Sequence, residues 1–414
     1  MKKRNLFWKK IITLFPLLSI GVLSVKSCQT QTINWDANLT IIAPVPNNNF
    51  TEEEKLKWEK LVSKKFNELK NNNNLTKNYQ DVKINLKFVE KTSNEYQNVE
   101  SGNLNNDFIV LSFSDIINKP KEDLLLPVVQ TETLKFLWSP NEEIYLDNSL
   151  YSEKMLKLAE KANEIQLENT KIGSYPKDWV DKKDFLKWDG SKFSYFYQDP
   201  SKETSYTDSF FGAILISGTK KQRDEIKKAW IDKDWEKFKK FGIAFKKSTS
   251  ISKFIVQAKL IAKNFNLSYK EIVDYLKNTN NKNLVLLGKS VENIIGNSTS
   301  ENKKYNIVFS DDGVFNWTYP LIKEDDLKSG YNFKPENYPD EQVRYLTLAG
   351  PIFYNVILAR KNIDENQKKF LAQSLSELKY EENTYGIYSG FNKFKLIDKD
   401  EFEKKYDIQK ELIN

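Results

Sequence analysis

The stretch FGIAFKKSTSISKFIVQAKLIAKNF, residues 241–265, sets the reading of the whole chain. Phe241 to Phe245 is a short apolar run of strand type, and Ile251 to Phe265 has the spacing of a helix. Between them lie two cations and three hydroxyls: Lys246, Lys247, Ser248, Thr249 and Ser250. Hydroxyls at a helix start cap unpaired backbone N–H groups. The same N–H groups and the positive end of the helix dipole can instead hold a phosphate or carboxylate. A strand running through a hydroxyl-rich turn into a helix is the unit of an α/β sheet.

Working outward, the N-terminal side reads strand, helix, strand. Asn38 to Ala43 is a strand, Glu52 to Lys70 a helix, Val82 to Val89 an alternating strand and Phe108 to Leu111 a buried one. Phe136–Trp138 and Ile144–Leu146 read as a hairpin, Leu150 to Leu167 as a helix, and Phe193 to Tyr197 and Phe211 to Ser217 as strands. Ile226, Trp230, Trp235 and Phe238 mark a buried helical face around a break at Asp232–Asp234. Beyond the opening stretch come a helix at Tyr269–Lys277 and the segment YNIVFSDDGVFNW, residues 305–317, a strand followed by an acidic turn. Tyr345–Leu348 is a strand interrupted at Gly350-Pro351, Val356–Ala359 another, and Asp364–Leu378 an amphipathic helix.

The composition narrows the function. The 414 residues suggest two domains or one bilobed body. There are 64 basic and 57 acidic residues, no histidine and one cysteine. Without histidine there is no Ser-His-Asp or Cys-His catalysis and no imidazole metal site. A single cysteine excludes internal disulfides and thiolate clusters. The positive charge is scattered, with no basic tract interleaved with aromatics, so nucleic acid is not an expected partner. Lys2, Lys3, Arg4, Lys9 and Lys10 precede an apolar run, Ile11 to Val25, that ends at the lone Cys28. This has the form of a bacterial lipoprotein signal over residues 1–28, with Cys28 as the lipidated residue, 29–34 as a tether and the body outside the membrane. Lys26 departs from the small-residue pattern usual before such a cysteine.

Three ordered segments, IKKAWIDKDWEKFKKFGI (226–243), IVFSDDGVFNWT (307–318) and TYGIYSGFNKFKLID (384–398), resemble the extracytoplasmic thiamine-binding lipoproteins of mycoplasmas. These are solute-binding subunits of an ABC importer, within the phosphonate-type periplasmic binding protein superfamily. The resemblance runs from Trp35 to the end. It implies a two-lobed α/β periplasmic-binding-protein fold (type II), with lobe I at 35–217 plus 339–414 and lobe II at 218–338. It implies an enclosed thiamine or thiamine pyrophosphate, an ABC permease and ATPase as partners, a monomeric chain, and a binder rather than an enzyme, with no cofactor or metal. By the resemblance, Ser248, Thr249 and Ser250 hold an anionic head, Asp311 or Asp312 faces a cationic group, and an aromatic before the hinge strand falls at Phe210, where the pattern more often has Tyr. The family's Pro-Ile-Pro-x-Asp turn appears as Pro351-Ile352-Phe353-Tyr354-Asn355, leaving Asn355 in the acidic place.

The chemistry of such a ligand asks for carboxylates near a cation, aromatic faces for stacking, and N–H or O–H donors for phosphate. Ser310, Asp311, Asp312 and Trp317 cluster around one turn, and Tyr195, Tyr197 and Tyr206 are stacking candidates. Other readings stay open: a small-anion binder of the same fold, a surface adhesin, or a carboxylate-dependent hydrolase using Asp311 and Asp312. Adjacent acids are poorly placed to flank one substrate, which weighs against the last.

Overall fold

The computed structural model describes residues 35–46, 50–102, 106–139, 153–170, 197–288, 305–313 and 342–413. The signal segment, Cys28, the tether, Ile144–Leu146, Tyr195 and Trp317 lie outside them.

The first helix shows how the sequence writes its own ends. Thr51 accepts from Glu54 N–H at 3.2 Å while Glu54 Oε2 accepts from Thr51 N–H at 2.8 Å, a reciprocal cap. Three glutamates fill the first turn of Glu52–Asn72 and Lys70 the last, matching the helix dipole. Trp58, Val62 and Phe66, four residues apart, are buried against the strands beside them.

Those strands form a seven-stranded sheet. β1 (Asn38–Pro44) pairs in parallel with β2 (Lys83–Val89) and β3 (Phe108–Leu111). β4 (Leu126–Leu134) carries β5 (Tyr206–Thr207) at its end. The second sheet has five strands: β6 (Ser209–Gly218), β7 (Ile243–Phe245), β8 (Val285–Leu287), β9 (Ile307–Asp311) and β10 (Gln342–Phe353). Its order is β10-β6-β9-β7-β8. β11 (Val356–Ala359) and β12 (Lys393–Leu396) complete the first sheet, in the order β12-β4-β11-β3-β1-β2.

The strand Ile243–Phe245 and the helix after it meet as expected, with one difference. The first turn, Ile251–Ile255, is a π-turn, in which Ile255 N–H reaches Ser250 O at 3.0 Å, and the α-helix begins at Val256. Gln257 explains the tight seat of this helix: its amide nitrogen donates to Ala213 O at 3.2 Å and Ser310 O at 2.8 Å, bridging β6 and β9. Gly212 makes room for it, since a Cβ there would stand 2.5 Å from the Val256 side chain. Trp230 and Phe238 pack in this lobe's core, ring centroids 5.4 Å apart, as their helical spacing predicts.

Two expectations change. Pro351 does not end its strand: β10 continues to Phe353, because its register against β6 shifts between Ala349 and Ile352. The lobe boundaries placed at 217/218 and 338/339 leave β6 and β10 with the first lobe, whereas both strands pair in the second sheet. An apolar strand fits either sheet equally well, and only pairing decides. The chain therefore crosses between sheets at Asp208 and at Tyr354–Asn355. These crossings lie side by side, Tyr354 N–H donating to Asp208 O at 2.8 Å.

Candidate functional site

The crossings form one wall of a 410 Å³ cavity. The first sheet contributes Glu132, Thr133 and Leu134 of β4 and Lys395 of β12. Glu401, Lys404 and Lys405 come from the last helix, Lys399–Ile413. The second sheet contributes Phe210, Phe211, Pro351 and Phe353, with Tyr354 at the crossing and Asp312 after β9. This volume is in the range of small-molecule sites, which favour junctions between lobes.

One side of the cavity is aromatic. Phe210 stacks on Tyr354 with ring centroids 5.0 Å apart and planes 29° apart. Burial, together with the nearby Asp312, Tyr197 and Asp311, pushes the Tyr354 phenol well above its ordinary value. Another side is a salt network. Lys405 Nζ, almost fully buried, lies 2.5 Å from Asp208 Oδ2 and 2.9 Å from Glu401 Oε1, and Lys395 Nζ is 2.9 Å from the same glutamate oxygen. Glu132 is held above the usual carboxyl range by burial and by Asp208, against the pull of Lys393, Lys395 and Lys405.

The acid pair at the end of β9 divides its labour. Asp311 Oδ2 is 3.1 Å from Lys253 Nζ, on the π-turn. Asp312 lines the cavity, is only 4% exposed, and its Oδ1 has no hydrogen-bond partner among the described residues. Its backbone is fixed on both sides, N–H to Phe211 O at 3.0 Å and carbonyl accepting from the Tyr345 hydroxyl at 2.8 Å. Burial, reinforced by the adjacent Asp311, raises the Asp312 carboxyl well above its ordinary value; backbone groups of Phe211, Asp312 and Gly313 offset only part of this.

The remaining sequence candidates fall in different places. Ser250 caps the π-turn, accepting from Lys253 N–H at 3.2 Å, and neither it nor Ser248 nor Thr249 lines the cavity. Ser310 is buried, its carbonyl taken by Gln257. Asn355 also serves through its carbonyl, which accepts from Thr131 N–H and Oγ1, both at 2.8 Å, and from Gln130. Tyr197 stacks on Phe136 with centroids 5.3 Å apart. Tyr206 lines the cavity. Of the candidate positions in the sequence, then, the cavity gathers Phe210, Asp312 and Tyr206. It adds Tyr354, Asp208, Glu132, Lys395, Glu401 and Lys405, which come from distant stretches with no common spacing. Only Tyr354 had a local signal, beside Asn355.

Two α/β lobes, linked by adjacent crossings over a polar and aromatic cavity, define a solute-binding protein. A model of the extracytoplasmic thiamine-binding lipoprotein family matches residues 56–412, and the chain belongs to that family. High affinity transport system protein p37 of Mesomycoplasma hyorhinis is 26% identical over 404 residues, covering 95% of this chain and 91% of that protein. The protein of the same name from Mycoplasma pneumoniae (strain ATCC 29342 / M129 / Subtype 1) is 28% identical over 348 residues, covering 80% and 83%. The solved structure of the Mycoplasma hyorhinis protein Mh-p37 matches the fold with a TM-score of 0.70 at 23% identity, over 92% of this chain and 99% of that one. The chain is thus the binding protein of a transport system rather than an enzyme, an extracytoplasmic lipoprotein, in keeping with the basic and apolar run that leads to Cys28.

Proposed function

We propose that the protein captures thiamine or its phosphates, thiamine pyrophosphate among them, outside the membrane and hands the ligand to the permease and ATPase of an ABC importer. The observation that carries this reading is the cavity at the crossings, which combines a stacked aromatic pair, buried carboxylates and a group of lysines. A flat heteroaromatic cation suits the first two, through stacking and charge. A phosphorylated tail suits Lys395, Lys404 and Lys405. The family description names thiamine, and Mh-p37 is described as a candidate transporter of thiamine pyrophosphate.

Closure would be a rotation of the lobes about Asp208 and Tyr354–Asn355, short segments that can absorb the backbone change. In that movement Ser248 and Thr249, at the start of the helix that follows β7, would approach the cavity mouth and add donors for a phosphate. The acids Asp311 and Asp312 belong to the same proposed site.

The test is to denature the purified full chain and chromatograph what it releases. A released compound with the ultraviolet spectrum and mass of a thiamine form supports the reading. A released phosphonate or simple phosphate ester favours the small-anion binder instead.

A further inference from the structure

We propose that Asp312 recognises the ligand as an un-ionised carboxylic acid, donating a hydrogen bond from its free Oδ1 to a ring nitrogen of the aminopyrimidine that lies against Phe210 and Tyr354. This rests on the thiamine reading above and assigns Asp312 a role other than counter-charge to the thiazolium.

The geometry supports it in three ways. Asp312 sits in the cavity wall with almost no exposure, and its Oδ1 is buried and has no hydrogen-bond partner among the described residues. A buried polar atom left so is costly unless a ligand completes it. Next, the neighbouring charges disfavour ionisation. Asp311 on the same strand end is ion-paired with Lys253, the phenols of Tyr345 and Tyr354 flank the turn, and no ion pair reaches Asp312 itself among the described residues. Two carboxylates this close do not readily share ionised form without a second cation, and burial acts in the same direction. Finally, the cavity has other carboxylates for the cationic ring: Asp208 and Glu401 also line it, ion-paired with Lys405. An acid kept neutral by its surroundings so that it can donate is an established device of buried sites.

The proposal separates two substitutions that a counter-ion role would treat alike. Asn at 312 keeps an N–H donor where the acid has O–H, whereas Leu keeps none. Calorimetric titration of the full chain with thiamine, wild type against Asp312→Asn and Asp312→Leu, is expected to show Leu weakening binding about 30-fold, with Asn restoring most of that loss. Above the ordinary carboxyl range the wild-type affinity is expected to fall as pH rises, because the bound form carries the proton, and the Asn variant to lose that slope. Thermal melts check that both variants fold. Wild-type affinity that rises with pH, or Asn and Leu equally weak, overturns the proposal and leaves the thiamine reading intact. A folded, ligand-stripped wild type that binds no thiamine overturns both.

Discussion

Two buried aspartates, Asp107 and Asp312, stand at comparable places, one beside a strand of each sheet, and have opposite fates. Asp107 is 1% exposed, accepts from Thr40 N–H at 2.9 Å and from Arg360 Nε at 2.9 Å, and shares that guanidinium with Asp36. Burial raises its carboxyl, while Thr40 and Arg360 pull it back. Asp312 is buried nearly as well but meets another acid in place of an arginine, and one of its oxygens is left over. The lesson is about where the partner sits. Asp107 finds its partner inside the fold and tethers the start of the body, at Asp36, to the first sheet. Asp312 Oδ1 has none among the described residues, and Asp312 lines a cavity that a ligand can fill.

Breaking the satisfied site should cost the most. Arg360→Leu strands Asp107 without its cation and is expected to lower stability by about 3 kcal/mol, read from the urea midpoint. The orphaned site should respond with the opposite sign. A carboxyl raised in the folded state is no burden below about pH 4, where Asp is protonated both folded and unfolded. The burden appears as pH rises above that value and levels off above the folded value. Asp312→Asn, neutral throughout, is therefore expected to match the wild type in acid and to exceed it by about 2 kcal/mol near pH 8, in paired urea titrations across that range. Should the variant be less stable at pH 8, Asp312 has an internal partner after all and the contrast fails.

Smaller effects sharpen the boundary between structural and ligand-facing groups. Ser250→Ala removes the cap on Lys253 N–H and should cost about 1 kcal/mol, seen as faster amide exchange in the Ile251–Ile255 turn. Lys220→Ala breaks a 2.6 Å pair with Asp224 that is open to solvent, and should leave the unfolding midpoint where it was.

Much of the fold could be read locally. The helix Tyr269–Lys277 has its boundaries in the Ser268–Glu271 capping box, and the break at Asp232–Asp234 separates two helices as its charged residues suggest. What could not be read was pairing. Nothing in an apolar run tells which sheet it joins, so β6 and β10 are separable from the first sheet only by their pairing, and the register shift that carries β10 past Pro351 has no signature in the sequence. The site divides in the same way. Asp312, Phe210 and Lys395 lie in segments that the resemblance covers by name or motif, while Glu401 and Lys405 sit in an ordinary charged tail. Their place in the cavity follows from β12 pairing with β4 and from the packing of the last helix, neither of which has a local signature.

On the proposed function, the cavity at the crossings takes a thiamine form. The most direct measurement is calorimetric titration of the full, ligand-stripped chain with thiamine, thiamine pyrophosphate and 2-aminoethylphosphonate, repeated with Phe210→Ala and Tyr354→Ala. Binding of at least one thiamine form, weakened by both substitutions, is expected, with no comparable binding of the phosphonate. Binding of the phosphonate alone, or thiamine binding that neither substitution changes, would contradict that function.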